Sequence, residues 1–229
     1  MRNMLSRALT TARWPFGVAL TAFSYLWRTT VIHRREIDGA WPEDGPPPAE
    51  VGGGGVQLPE DGVGPLFRRR YSARVRGAGL APEALIARVQ ADPNLVVANR
   101  VAQFEKTRGD AGALRIGDEF LVRMPGPWNG PVRVVDVTPR SFRFVTLDGH
   151  LEAGQIEWRA CAEDGDLRFE IESWARAGDR LSHLMHDKLR MAKEVQLYMW
   201  TSVLERVAKV TGGELAGGIE IETRRAEVG

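Results

Sequence analysis

A long helical pattern placed after a run of strand-like segments constrains this chain more than any other feature. Between residues 101 and 175, apolar and polar residues alternate at period two in segments at about 101–106, 119–124, 132–137, 141–147, 155–161 and 167–175, each bounded by turn residues. From about residue 180 to 210 the period becomes helical. Leu181, Leu184, Met185, Leu189, Ala192, Val195, Met199, Val203 and Val207 then share one face. Asp179, after Gly178, suits the N-cap of this helix, and Gly212-Gly213 ends it. A helix of that length must bury its apolar stripe, and the concave face of an antiparallel sheet is the nearest surface for it. The order of parts predicts an α+β fold: a curved antiparallel sheet of about six or seven strands wrapped around one long C-terminal helix.

The first strand of that sheet is expected at 67–76. Phe67, Tyr71, Ala73 and Val75 have one parity, and Arg68, Arg70, Arg74 and Arg76 the other. Arg69 is the exception, a cation on the apolar face. In the last strand Leu167, Phe169 and Ile171 share a face, with Glu170, Glu172 and Trp174 opposite. Should these two strands pair, the arginines would lie beside Glu170 and Glu172, and the basic run then reads as a salt-bridge ladder and not as a phosphate-binding face. Pro82 opens a short helix to about Ala91 with Leu85, Ile86 and Val89 inward, and Asp92-Pro93-Asn94 stops it. Asp164-Gly165-Asp166 marks a tight hairpin.

The flanks differ in composition. Trp14, Phe16, Leu20, Phe23, Trp27 and Val31 recur at helical spacing behind Arg2, Arg7 and Arg13. The uncharged stretch from Trp14 to Trp27 is too short to span a bilayer, which needs roughly 20 residues. It is an amphipathic helix that packs on the domain or on a second copy, lies on a membrane surface, or serves in secretion with a poor cleavage site; the residues leave these open. Gly45-Pro46-Pro47-Pro48 and the glycines 52–55 read as a linker. The chain is thus divided into a helical segment at 1–38, a linker at 39–65, the main domain at 66–212 and a tail at 213–229, where Ile219 and Ile221 fit a short edge strand or a loose end. With 31 basic and 30 acidic residues the net charge is +1, which argues against nucleic acid as the main partner. Cys161 is the single cysteine, so no intrachain disulfide is open to the chain, and a reducing cytoplasm is the expected setting.

The layout resembles the helix-grip fold of the START and Bet v 1-like superfamily. The segment Gly149-His150-Leu151-Glu152-Ala153-Gly154-Gln155-Ile156-Glu157 is similar to the Gly-His-Pro-Glu-x-Gly-Glu-Glu signature of its bacterial and plant group named domain of unknown function 1990. Leu151 replaces the proline, and Gln155 the first of the paired glutamates. The resemblance covers about 64–212. It implies a sheet gripping the long helix, often around a pocket for an apolar ligand, and no established activity.

Within that frame the candidate ligand-binding residues are His150, Glu152, Gln155, Glu157, Trp158, Phe144 and Met185. The motif supplies the polar members, and the strand aromatics with the helix methionines supply an apolar lining, which either fills the core or borders a pocket of several hundred cubic ångströms. The expected partner is a hydrophobic or amphipathic small molecule. An enzyme of the cyclase, hydratase or isomerase kind, using His150 with Glu157 or Glu105 as acid and base, is the alternative. The other alternative is a membrane-peripheral or interaction module acting through the N-terminal helix. No cofactor is expected. His183 and His186, with Asp179 and Asp187, match no metal motif, so no metal is expected either.

Overall fold

The computed structural model describes residues 30–39, 45–49, 52–97, 102–124, 129–178 and 186–227, with the backbone alone at 186–195. Helical positions 14–29, Trp41, Asp179, Leu181, His183, Leu184 and Met185 therefore lie outside the described residues, as do the side chains of His186 and Asp187.

Ten strands form one sheet. The expected strands appear as β3 (Val63–Arg76), β4 (Gln103–Arg108), β5 (Glu119–Arg123), β6 (Asn129–Val137), β7 (Ser141–Leu147), β8 (Glu152–Glu163) and β9 (Asp166–Ala177). They pair antiparallel in the order β3-β9-β8-β7-β6-β5-β4, a meander closed by the pairing of its first and last strands. The β8–β9 hairpin turns through Asp164 and Gly165 at φ 51° and 84°, the backbone that a two-residue hairpin needs.

Three further strands enlarge the sheet. The tail is no loose end: β10 (Glu214–Ala226) runs antiparallel along the whole of β3, with Ile219 and Ile221 buried. Residues assigned to the N-terminal helical segment instead form β1 (Ile32–Asp38), parallel to β10. The glycine run is also less free than a linker. Arg133 donates to the carbonyls of Gly52 (2.8 Å) and Gly54 (3.1 Å), after which β2 (Val56–Gln57) pairs with β7. Gly217 and Gly218, at φ 83° and 92°, form a bulge that lets β10 stay in register with β3 on both sides of it.

Two helices are described, α1 (Pro82–Ala91) and α2 (His186–Thr211). Helix α1 buries Leu85, Ile86 and Val89 completely, as its spacing predicts. Helix α2 ends in a Schellman arrangement: the Gly213 N–H bonds the Ala208 carbonyl (3.0 Å), the Gly212 N–H bonds that of Lys209 (3.2 Å), and Gly212 has φ 72°. It grips the sheet through Trp200, Val203, Leu204 and Val207, which join one core with Tyr71, Val75, Phe169 and Ile171. Trp158 lies at the centre. Its ring contacts Phe142 (5.3 Å), Trp200 (5.7 Å), Phe104 (6.0 Å) and Phe169 (6.4 Å) between centroids, mostly edge to face. This is a helix-grip arrangement.

The other face of the sheet carries the arginines and glutamates. Glu172, 2% exposed, meets Arg68 at 2.6 Å and Arg159 at 2.9 Å, and Glu170 meets Arg159 at 2.8 Å and Arg168 at 3.1 Å. Arg70 pairs with Glu222 of β10, a partner supplied by the tail. The expected ladder thus holds for Arg68 and extends onto the added strand.

Candidate ligand cavity

Between the inner face of the sheet and α2 lies a cavity of about 80 Å³. Its lining is mostly apolar: Phe104, Val132, Phe144, Ile156 and Trp158 from strands, with Met199 and Trp200 from the helix. The void is much smaller than several hundred cubic ångströms, because the aromatic rings around Trp158 interlock and fill most of the interior.

One wall is polar, and the glycine-rich motif builds it. Gly149 turns the chain at φ 90°, and a side chain at Gly154 would run into the Trp174 carbonyl, so β8 and β9 close tightly only around glycine. Gly154 is further fixed by its N–H bond to Thr146 Oγ1 (2.9 Å). His150 then folds back over the start of β8. Its Nδ1 lies 2.9 Å from the Glu152 N–H and 3.0 Å from the Glu152 carbonyl oxygen, accepting from the one or donating to the other according to the tautomer. Nε2 lies over Gly130, where a Cβ would stand 2.8 Å away. The ring is partly exposed but densely surrounded. That desolvation lowers its pKa below the ordinary imidazole value, outweighing the opposite pull of Glu152, and keeps the ring neutral at pH 7.

Glu152 ties the sheet to the helix. Oε1 accepts from Arg69 Nη1 at 3.3 Å and Oε2 from Gln196 Nε2 at 2.8 Å. Arg69 is buried and also covers the Phe67 ring at 4.7 Å. Arg69 and Gln196 were not among the expected site residues. The parity exception at Arg69 was the signal, because a cation on an apolar strand face needs a buried carboxylate.

His150, Glu152, Gln155, Trp158 and Phe144 all border the cavity. Gln155 does so although its parity in β8 is that of the opposite face. Glu157 does not belong to this group. In β8 Ile156 and Trp158 point inward, so Glu157 faces outward, near Arg159 (3.9 Å) and Glu172. Burial raises its pKa above the usual carboxylate value, against the effect of Arg159 and Arg143. Glu105 is likewise displaced: it is paired with Arg123 at the surface, while Phe104 beside it faces the core. Met185 lies outside the described residues. Among the described residues no three metal-ligating side chains converge, and no helix is long and apolar enough to cross a membrane.

Comparison with solved structures finds helix-and-sheet outlines of similar extent. The ginseng major latex-like protein 151 from Panax ginseng overlaps at TM-score 0.46 and 13% identity, over 65% of this chain and 99% of its own. Ara h 8.0201 overlaps at TM-score 0.42 and 10% identity, over 63% and 99%. The di-domain ARO/CYC StfQ from the steffimycin biosynthetic pathway overlaps at TM-score 0.48 and 11% identity, over 67% of this chain and 52% of its own. At such scores and identities they assign no chemistry to this chain. No curated protein matches its sequence. The model of the family described as domain of unknown function 1990 matches residues 87–206, over half of the chain and inclusive of the glycine-rich motif, and the chain belongs to that family.

Proposed function

We propose that this protein binds a small, largely apolar molecule in the cavity between sheet and helix, beside the polar wall that His150 and Glu152 form. The observation that carries this reading is the composition of the cavity wall: apolar and aromatic on most sides, with a neutral imidazole and a tethered carboxylate at one end. About 80 Å³ holds only a few water-sized groups, so one short part of the ligand is enclosed and the rest extends through the open side.

Acid–base catalysis by His150 with Glu157 or Glu105 has little support in this geometry, since both glutamates face away from the cavity. The membrane or interaction reading rests on residues outside those described. Setting in the cytoplasm remains part of the proposal.

Ethylbenzene, titrated into the full chain and followed by ¹H–¹⁵N spectra, tests the reading. Shifts confined to residues around Phe144, Trp158 and Met199 are expected. Ala175→Leu, which places a larger side chain on the cavity wall, should weaken binding roughly tenfold or more; Ser173→Leu serves if that variant does not fold. Shifts scattered over the surface, or affinity unchanged in the filled variant, would sink the reading.

A further inference from the structure

Two indoles on the cavity wall carry N–H groups that no described residue accepts. Trp158 and Trp200 both line the cavity, are 0% and 5% exposed, and stand 5.7 Å apart between ring centroids. Their Nε1 atoms have no hydrogen-bond partner among the described residues. A buried tryptophan normally finds an acceptor for this group, and leaving it unmet is destabilising. Trp174 shares the trait but is not a cavity residue.

The other polar groups narrow the chemistry. Both oxygens of Glu152 are already engaged, by Arg69 and by Gln196, so the carboxylate and its buried arginine neutralise each other. His150, with Nδ1 engaged by the Glu152 backbone, is densely surrounded, and this desolvation favours its neutral form. The wall therefore carries no net charge, with the two indole N–H groups as unmet donors and Gln155 Oε1 as an unmet acceptor.

Resting on the reading that this cavity is a ligand site, we infer that its ligand is an uncharged apolar molecule bearing a hydrogen-bond acceptor oxygen, such as an aryl or alkyl ketone, which receives the indole N–H of Trp158 or Trp200. A hydrocarbon leaves the indoles unmet. An ammonium or a carboxylate group brings a charge the wall does not balance.

Acetophenone and ethylbenzene differ chiefly by the carbonyl oxygen and are close in shape. Acetophenone is the more soluble in water, so apolar burial alone favours ethylbenzene. With the full chain, acetophenone is expected to bind roughly fivefold or more tighter than ethylbenzene, and to move the indole N–H resonance of Trp158 or Trp200 downfield. Trp200→Phe and Trp158→Phe, each also assigning its own resonance, should shrink the ketone-to-hydrocarbon affinity ratio, a readout that a mere change of cavity volume leaves in place. Equal or weaker ketone binding with unmoved indole resonances overturns the inference and leaves the cavity reading standing. Failure of both probes to bind overturns the two together.

Discussion

The carboxylates of the outer sheet face and the indoles of the cavity wall are buried under different rules. On the outer face Glu170 and Glu172 are 7% and 2% exposed, and each meets two arginines within 3.1 Å. On the inner face Trp158 and Trp200 are as deeply buried, yet their indole N–H groups find no acceptor among the described residues. A self-sufficient charge network fixes strand register and asks nothing of solvent or ligand. Unmet donors are not confined to the inner face, since Trp174 Nε1 and Arg143 Nε on the outer face also lack an acceptor among the described residues; what sets Trp158 and Trp200 apart is that they border the cavity. Density of charge is thus a poor guide to function here, and the sparse polar wall is the better one.

The largest effect expected from breaking the comparison lies on the inner face. Trp158→Ala removes the hub that touches Phe104, Phe142, Phe169 and Trp200. A loss of about 3–5 kcal/mol in urea denaturation is expected, the range for a large buried aromatic. A loss below about 1 kcal/mol would mean that the ring is not the packing centre described above.

Glu172→Ala comes next and probes the outer face. It leaves Arg68 and Arg159 without their shared carboxylate. Breaking a fully buried pair costs about 3–5 kcal/mol, but these arginines are 21% and 34% exposed, so water recovers part and about 2–3 kcal/mol is expected. Acetophenone affinity, measured on the folded variant, should stay within about twofold of the parent, because the charge network and cavity lie on opposite faces. A large change in affinity would erase the distinction between them.

Much of this division was legible in residue parity. Alternation placed Phe169 and Ile171 inward and Glu170 and Glu172 outward, and the structure agrees. The same rule, applied from Trp158, sends Glu157 outward, and applied from Phe104 sends Glu105 outward. Grouping Glu157 with His150 by nearness in sequence was the error, since neighbours in a strand need not share a face. Arg69 shows the converse: its odd position on an apolar face marked a part-buried ion pair whose partner, Glu152, lies 83 residues away. Strand β1 left no such signal. Its parallel pairing with β10 joins the two flanks of the chain without a turn to announce it. The size of the cavity was equally hidden, because it depends on how the rings interlock and not on how many there are.

The smallest effect gives the sharpest contrast within the outer face, because two glutamates there have opposite pKa displacements. Burial drives the Glu170 carboxyl upward, but the Arg159 hydrogen bond and the charges of Arg159, Arg168 and Arg70 outweigh it, and its pKa falls below the ordinary value. For Glu157 burial prevails over Arg159 and Arg143, helped by repulsion from Glu172 and Asp136, and its pKa rises. The two shifts have opposite linkage. Lowered Glu170 contributes stability that is present above the unfolded carboxylate pKa and is lost as pH falls through the folded one. Raised Glu157 favours the fold below its unfolded pKa, and that advantage is lost as pH rises through the folded value. Glu170→Gln should therefore destabilise at pH 7, with the deficit shrinking toward acid. Glu157→Gln should be neutral or slightly stabilising at pH 7, with any gain vanishing toward acid. Urea midpoints of both variants at pH 4 and pH 7 decide the matter. Two losses of the same sign and the same pH dependence would show that Glu157 is an ordinary member of the ladder, held by Arg159 as firmly as Glu170 is.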